Sequence, residues 1–346
     1  MVISRQPLAA SDLRALNEAT ERLQFKILAS PDQTATEPVI GDLLSATSPS
    51  DLDARSSRYS LDVSPPTDTR PFFFNQLRLS NMVDLDFVRD QYQRTRSVLA
   101  GASLVVLGNI AAMGTLFLLI GLSLLAVIFV IILPARSAIH KVEPRLAWLG
   151  SAYFLLIGLG FMFIEIGLIQ RVSVFMGHPV YALSVVLFSI ILSTGIGSML
   201  SERFAPTHPR AILIWLLLLA GYVLALPHWL PQLTHSSLEA AGLVVRSLAS
   251  VAVILPAGLL MGFGFPIGMR LVMSQDARPT PWFWGINGAA GVLASGLAVA
   301  CSILFSIDAT IRVGGICYLL LIPAALLLME GRSERMDRSR SMEPVT

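Results

Sequence analysis

Charged residues are scarce in this sequence, and their scarcity excludes an ordinary soluble fold. Lys, Arg, Asp and Glu make up 14% of the 346 residues, against about 25% in soluble globular chains. Hydrophobic residues make up 54%, and the mean hydropathy is +0.68. A chain with so few charges lacks the polar surface that water requires, so we expect its apolar helices to lie in a lipid bilayer. The formal net charge of +2 is too small for a nucleic-acid-binding surface, and we expect no nucleic-acid partner.

Cysteine is almost absent. The two cysteines, Cys301 and Cys317, both fall within apolar runs, where cysteine packs as a small hydrophobic residue. Their spacing and surroundings do not favour a disulfide or a metal site. His178 has no second histidine or cysteine at a metal-ligand spacing, so we expect no zinc site.

The common catalytic and cofactor-binding motifs are also missing. The sequence has no glycine-rich phosphate loop ending in Lys-Ser/Thr, no Gly-x-Ser-x-Gly elbow and no Gly-x-Gly-x-x-Gly after a strand. Gly-x-Gly pairs occur at 158–160, 195–197 and 262–264, but all three lie in apolar runs, where small residues let helices pack closely. We therefore assign no catalytic and no cofactor-binding residue to this chain.

Long apolar runs are what the sequence has in abundance. Each is about 20 residues long, enough for a helix to cross roughly 30 Å of hydrocarbon. Short connections between the runs predict an all-α, polytopic membrane bundle of antiparallel helices. The runs are residues 109–133, 148–170, 180–200, 211–231, 247–270, 283–306 and 311–329. We place the membrane domain at 96–330 and expect residues 331–346 to form a solvated tail.

Residues 1–95 differ in kind from the rest. They predict a short strand at 1–4, a helix over 11–23 that begins at a serine cap, and a second strand at 24–28. A loop region with short helical turns, rich in Pro, Ser, Thr and Asp, follows over 30–71. This small α/β fragment buries too little core to fold alone, so we expect another chain, another domain or the membrane surface to complete it.

Basic residues beside the predicted spans bear on orientation, because Lys and Arg near span ends are enriched on the cytoplasmic side. With seven spans, the larger basic set lies on the side of the C-terminal tail and favours a cytoplasmic C-terminus. This set is Arg136, Lys141, Arg145, Arg203, Arg210, Arg278 and the tail arginines, and the opposite set is Arg89, Arg94, Arg96, Arg171, Arg246 and Arg312.

Glu165 lies inside the second apolar run. A carboxylate there costs about 2.5–3.5 kcal/mol on insertion scales, so it is expected to face protein or water rather than lipid. One interpretation makes Glu165 a proton or cation site. The structural alternative places it near the helix end, paired with Arg171 or capping a neighbouring helix, and the sequence leaves both open.

Gln170, Arg171, His178 and Tyr181 are crowded into the corner between the second and third runs. An unperturbed histidine titrates near neutrality, so His178 could bind a ligand. In the structural alternative, His178 caps a helix and Tyr181 belongs to the aromatic belt at the membrane surface. We keep all four as candidate ligand-site or proton-site residues.

Residues 262–268, Gly-Phe-Gly-Phe-Pro-Ile-Gly, interrupt the fifth run. Glycine and proline together predict a broken or kinked helix, and broken helices line substrate sites in transporters. Close helix packing through small residues is the structural alternative. Arg270 and Asn287 supply polar groups that could meet this irregularity, and they complete the set of candidate ligand-site residues.

Four stretches together resemble the C-terminal membrane region of bacterial spermidine synthase-like (aminopropyltransferase-like) polytopic membrane proteins. They are TDTRPFFFNQLR (67–78), FMFIEIGLIQRVSVFMGHPVYALSVVLFSIILSTGIGSMLS (161–201), GFGFPIGMRL (262–271) and PWFWGINGAAGVLASGLA (281–298). Residues 1–65 are similar more loosely to the end of the Rossmann-type domain of that family. Thr69 departs from the pattern, because the family has a second acid there.

The resemblance implies that any transferase activity lies in a missing or partner domain rather than in a site of this chain. The family places an S-adenosylmethionine-binding, aminopropyltransferase-like domain between membrane halves, and its glycine-rich loop and amine-handling aspartate precede anything present here. An S-adenosylmethionine-type cofactor is thus expected only in a missing or partner domain, which the family places in the cytoplasm. The 262–271 and 281–298 stretches resemble the end of the other membrane half, which suggests one half of a transporter-like repeat.

The leading hypothesis is an integral membrane module of the bacterial inner membrane. It would anchor such a domain and bind or move a cationic or hydrophobic small molecule near Glu165. One alternative is a polyamine synthase-like transferase that acts only with an upstream or partner cofactor-binding domain. The other is a transporter-like half or a scaffold without a ligand.

Overall fold

The structure is a computed structural model that describes residues 4, 6–78, 80–81, 84–95, 101–140, 142–203, 208–234, 238 and 240–341. It divides into two units. The first comprises Met1–Pro65 and Gln76–Val98, and the second comprises Pro66–Asn75 and Leu99–Thr346. Residues 66–75, which the sequence groups with the N-terminal segment, therefore belong to the unit that contains the long helices.

The first unit is helical. Its helices are α1 Ala10–Arg22, α2 Pro38–Leu44, α3 Pro49–Ser56 and α4 Leu85–Thr95. The hydroxyl of Ser48 accepts a hydrogen bond from the Asp51 amide at 3.1 Å and caps the start of α3. Arg55 then joins α3 to α2, because its guanidinium donates to Asp51 at 3.0 Å and to Asp42 at 2.6 Å.

The strand predicted at 24–28 is not formed. Pairing of the β type among the described residues is limited to the isolated bridges Ser30–Gln33 and Thr67–Arg70. Gln24 has a φ of 55°, in the left-handed region, which interrupts the extended backbone that a strand needs. Phe25 is 68% exposed, because no neighbouring strand covers it. The strand predicted at 1–4 falls outside the described residues except for residue 4, which is not in a strand.

Among the residues that the structure describes, the second unit contains seven helical segments that are long and apolar enough to cross a membrane. Its helices are α5 Gly101–Ala126, α6 Pro144–Met176, α7 Pro179–Arg203, α8 Pro209–Thr234, α9 Leu243–Gly262, α10 Gly264–Met273, α11 Thr280–Leu304 and α12 Ile307–Ser341. Helices α9 and α10 form one span, interrupted at Phe263. The predicted number of spans is confirmed, and the chain is a multi-pass membrane protein by the length and composition of its helices.

Proline and glycine mark the ends of these helices. Pro144, Pro179 and Pro209 each stand at the first position of a helix, where the missing N–H has no partner to lose. Helix α6 ends at Gly177, whose φ of 70° is a left-handed conformation that favours glycine. A π-helical segment, Val127–Ile132, extends α5, just before a proline that cannot continue the α-helical hydrogen bonds.

Helix α6 is the centre of the bundle. It packs against α12, α11 and α7, while α7 also pairs with α9, α8 with α12, and α5 with α11. Tyr153, Phe154, Ile164 and Leu168 on α6 are completely buried. With 33 residues, α6 is about 50 Å long, which is more than the roughly 30 Å of the hydrocarbon layer.

Glycines set the closest helix approaches. A Cβ atom placed on Gly158 would lie 2.7 Å from the carbonyl oxygen of Asn287 on α11. A Cβ atom on Gly160 would lie 2.9 Å from the ring of Tyr318 on α12 and 3.1 Å from Cys317. This Gly-x-Gly pair therefore lets α6 contact a neighbour on each side, as its place in an apolar run predicts.

The alternating helices define two ends of the bundle. The Gly177 end contains the connections at 177–178, 242 and 305–306, and the Ser274 end contains those at 139–140, 142–143 and 274–279. Each span runs from one end to the other, with α9 and α10 counted as one span. Residues near the middle of α6 therefore lie near the middle of the neighbouring spans as well.

Candidate functional site: a cavity beside the interrupted helix

A cavity of about 480 Å³ lies next to the middle of α6. Its walls come from α6, from both sides of the interruption at Phe263, from α11 and from α12. The lining residues are mostly aromatic side chains, methionines and glycines: Ile157, Gly158, Phe161, Met162, Met261, Phe265, Trp284, Asn287, Gly288, Gly291 and Tyr318. Charged side chains are absent from this lining.

The interruption between α9 and α10 shapes one wall of the cavity. Pro266 lacks the N–H that would bond to the carbonyl of Gly262, so the helical hydrogen bonding is interrupted where the sequence predicts, while Phe263 keeps a right-handed helical backbone with φ −71° and ψ −26°. Nearby carbonyls bind side chains instead. The Tyr153 hydroxyl donates to Gly264 at 2.8 Å, and the Trp215 indole N–H donates to Leu260 at 2.8 Å.

The same interruption also serves packing. A Cβ atom on Gly262 would lie 2.9 Å from the amide nitrogen of Ser198 on α7 and closer still to the carbonyl oxygen of Thr194. A Cβ atom on Gly268 would meet the ring of Tyr153 on α6. The close-packing interpretation of the glycine-proline stretch therefore holds on the side of α6 and α7, and Phe265 of the same stretch borders the cavity.

Aromatic contacts join the wall formed by α10 to α11 and α6. The Phe265 and Trp284 rings meet edge to face with centroids 4.6 Å apart, and Phe265 meets Phe154 in the same way at 5.5 Å. The indole N–H of Trp282 donates to the Ser151 hydroxyl at 2.7 Å and holds the start of α11 against α6. The rings that line the cavity are thus positioned before any ligand binds.

Asn287 is the amide in this lining. Its backbone carbonyl packs against Gly158, and its side-chain amide has no hydrogen-bond partner among the described residues. The hydroxyl of Tyr318, which also lines the cavity, has none either. The cavity therefore offers one amide and one phenol that can orient a guest.

Glu165 continues the cavity-lining face of α6. Gly158, Phe161 and Met162 line the cavity, and Glu165 follows at the spacing of one further turn on that face. It is only 9% exposed and has no hydrogen bond or ion pair among the described residues. The proposed pairing with Arg171 is not formed, so the structural alternative for Glu165 is not seen.

Arg171 is engaged elsewhere, at the Gly177 end. Its guanidinium is 4% exposed and donates to the carbonyl of Asp68 at 3.2 Å. The amide of Ile307, at the start of α12, donates to the carbonyl of Thr69 at 2.9 Å. Residues 66–75 are therefore bound to the bundle by a buried cation and by a helix N-terminus whose first N–H groups need acceptors.

Two buried acceptor atoms near this contact have no hydrogen-bond donor among the described residues: Oε1 of Gln170 and Oδ1 of Asp308. Asp308 interacts electrostatically with Arg171, Arg312 and His228. The sequence interpretation did not single out Asp308, although an acid in the first turn of an apolar helix is a visible signal.

The remaining candidates do not reach the cavity. His178 and Tyr181 are exposed at the turn after α6, with ring centroids 5.7 Å apart. Arg270 donates to the carbonyl of Ser201 at 2.9 Å and so caps the end of α7 at the Ser274 end. The seven predicted residues thus separate into Glu165 and Asn287 at or beside the cavity, and five others at the two ends of the bundle.

The lining of the cavity is mainly apolar, with one amide and one phenol. The described part of the chain contains no group of three or more His, Cys, Asp or Glu side chains that could hold a metal ion. The cavity lining supplies rings, thioethers, an amide and a phenol, but no nucleophile with an adjacent base. Comparisons of the chain with protein-family models, curated proteins and solved structures find no match.

Proposed function

We propose that this chain is a multi-pass membrane module that binds a small, largely apolar molecule in the cavity beside Phe263. The observation that carries the proposal is the position of the cavity, about 480 Å³ in volume, at a broken helix near the middle of the bundle. Ligand sites are usually apolar spaces of about 300–1,000 Å³ with a few convergent polar groups. Broken helices near the bilayer midplane line the substrate sites of many transporters.

Two polar groups in the lining would set the orientation of a bound molecule. Asn287 can both donate and accept, and the Tyr318 hydroxyl can do the same from α12. The other walls contribute only apolar contact. A guest with an apolar body and one polar group would satisfy both kinds of surface.

Thermal unfolding of the full chain in detergent, with a library of small apolar compounds, tests this proposal. A bound compound raises the unfolding temperature, because it stabilises only the folded state. Gly288→Phe fills the cavity, and a Cβ atom at Gly288 meets no atom within 4 Å, so the backbone tolerates the change. Gly121→Phe on α5 is the matched control, since Gly121 is equally open but lies outside the cavity.

We expect some compounds to stabilise the unmodified chain and Gly121→Phe but not Gly288→Phe. The proposal is contradicted if no compound stabilises any variant, or if Gly288→Phe responds as strongly as the control.

We further propose that the bundle anchors an aminopropyltransferase-like domain in the bacterial inner membrane. The support is the resemblance of four stretches to the spermidine synthase-like family, together with the binding of residues 66–75, part of the first stretch, to Arg171 and Ile307. In this proposal, any transferase activity and its S-adenosylmethionine-type cofactor belong to that domain.

An antibody against residues 331–346 tests this anchoring role in the source cells. Detection near 37.4 kDa together with a co-purifying protein, or detection of a much larger polypeptide, would agree with it, provided that the purified material binds labelled decarboxylated S-adenosylmethionine. Material of either size that binds neither S-adenosylmethionine nor its decarboxylated form would argue against it.

A further inference from the structure

We infer that the ligand of this cavity is an organic cation with a single positive charge and an apolar, aromatic body, and that Glu165 is its counter-ion. This inference rests on the proposed function and names the ligand class. Three observations support it: the position of Glu165, the aromatic walls and the engagement of the nearby basic residues.

Glu165 does not itself line the cavity, but it follows two lining residues on the same face of α6. Phe161 and Met162 line the cavity and lie one helical turn before Glu165, so their Cβ atoms are about 5–6 Å from that of Glu165. Glu165 is 9% exposed, and its carboxylate has no hydrogen bond or ion pair within the described chain. A buried carboxylate without a counter-charge is costly, so a cation that reaches it gains a large interaction.

The walls favour the same charge. Phe161, Phe265, Trp284 and Tyr318 present aromatic rings to the cavity. The face of an aromatic ring is electronegative and attracts a cation within about 6 Å, most strongly where water is excluded. The amide oxygen of Asn287 adds a neutral acceptor on α11.

Among the described residues, no basic side chain lines the cavity. Arg171 is hydrogen-bonded to Asp68 at the Gly177 end, and Arg270 to Ser201 at the Ser274 end. Neither residue lines the cavity. An anion in the cavity would meet Glu165 and the ring faces with no basic group to balance them.

The single carboxylate also limits the charge of the guest. One carboxylate can neutralise one ammonium, and the lining of the cavity itself carries no charged side chain. A molecule with several ammonium groups would leave at least one of them buried without a partner, at a cost of several kcal/mol per ion. The cavity therefore selects a monocation over a polyamine.

Equilibrium binding of tetraphenylphosphonium to the purified full chain tests this inference, with tetraphenylborate as an anion of matched shape. We expect saturable binding of the cation and at least about tenfold weaker binding of the anion. Glu165→Gln should weaken cation binding about tenfold, because it removes the charge and keeps the shape. Glu202→Gln removes an exposed acid outside the cavity and should change nothing. An aliphatic triamine should displace the cation poorly.

Several results separate this inference from the proposed function. Equal affinity for cation and anion, an unchanged affinity in Glu165→Gln, or efficient displacement by the triamine overturns the inference and leaves the cavity site standing. If the chain binds no cation but is still stabilised by compounds in the cavity, the inference is likewise overturned and the cavity site stands. Cation binding that survives Gly288→Phe places the cation elsewhere and also overturns it.

Discussion

At the scale of single residues, two glycines in one motif have different surroundings. Gly195 and Gly197 are separated by one residue on α7. A Cβ atom on Gly197 would lie 2.9 Å from the carbonyl carbon of Leu259 on α9 and closer still to its oxygen, whereas one on Gly195 would meet no atom within 4 Å. Gly197 thus permits the contact between α7 and α9, and Gly195 does not take part in it.

Alanine at these two positions should therefore have opposite effects. We expect Gly197→Ala to lower the free energy of unfolding by about 1–3 kcal/mol, because backbone atoms of α9 must move away. Gly195→Ala should be neutral or stabilising by up to about 1 kcal/mol, because alanine favours the helix. Unfolding temperatures of both variants in detergent measure the difference, and an equal loss in the two would contradict the packing.

The sequence could not separate ligand-site residues from structural ones by residue type alone. Arg171 and Arg270 belong to the same polar set as Asn287, yet both bind backbone carbonyls at the ends of the bundle. Only the tertiary contacts decide this, since the acceptors are residues 68 and 201, far away along the chain. The burial of Glu165 in protein was predictable, because an acid within a long apolar run is visible in the sequence and must face protein or water.

At the scale of helices, the end of α6 depends on a residue from another helix. The guanidinium of Arg246, near the start of α9, donates to the carbonyls of Phe175 at 3.2 Å and Met176 at 3.5 Å. These carbonyls belong to the last turn of α6, where helical partners are missing and the helix dipole favours a cation. Arg246 therefore joins the two helices at the Gly177 end.

Arg246→Gln should destabilise the bundle by about 1–2 kcal/mol, because the last turn of α6 loses its cationic cap. Arg278→Gln is the control, since Arg278 pairs with Asp276 within one exposed turn and its side chain is 68% exposed. Thermal unfolding should separate the two variants. Equal stability of Arg246→Gln and the original chain would show that the cap contributes nothing.

The contact between helices α2 and α3 of the first unit is stabilised by ion pairs of Arg55 with Asp42 and Asp51. Hydrogen bonds from Tyr59 and then Arg55 lower the pKa of Asp42 below its ordinary 3.8, and those from the Thr47 amide and then Arg55 lower the pKa of Asp51. A lowered folded-state pKa stabilises the fold above the unfolded-state pKa, and this contribution is lost as the pH falls through the folded-state pKa.

Hydrogen exchange of residues 38–56, corrected for intrinsic rates, should show this pH dependence. At pH 7 we expect Arg55→Gln to exchange faster than the unmodified chain, whereas Arg22→Gln on α1 should not. The difference should shrink as the pH falls below about 3.8, because the carboxylates become protonated. A difference that persists undiminished at pH 2 would contradict the assignment to these carboxylates.

The helices were more predictable than the contacts between them. Long apolar runs identify the spans by themselves, and the glycines and proline of 262–268 identify the break, because both signals are local. The binding of residues 66–75 to α6 and α12 depends on partners about 100 and 240 residues away along the chain, and no local pattern reports it. The strand expected at 24–28 failed for the same reason, since a strand requires a partner that local propensity cannot supply.

At the scale of the whole molecule, the basic residues divide unequally between the two ends. Arg136, Arg145, Arg203, Arg210 and Arg278 lie near the Ser274 end, together with the arginines of the tail. We predict that this end faces the cytoplasm, because positively charged loops are retained there. The family resemblance implies the opposite orientation.

Fusions at residue 346 decide between the two orientations in bacterial cells. We expect a fluorescent protein fused there to be bright and an alkaline phosphatase fused there to be inactive. An active phosphatase and a dark fluorescent fusion would place the C-terminus outside and support the orientation that the resemblance implies.

An open apolar cavity between α6, the interruption at Phe263 and α11 is the feature on which the proposed binding of a ligand depends. Xenon enters apolar cavities of this kind, and its anomalous scattering locates it directly. We predict that crystals of the full chain under xenon pressure show a site bounded by Phe161, Phe265 and Trp284, and that Gly288→Phe removes it. Side chains that fill this space, with no xenon bound in the unmodified chain, would contradict the account.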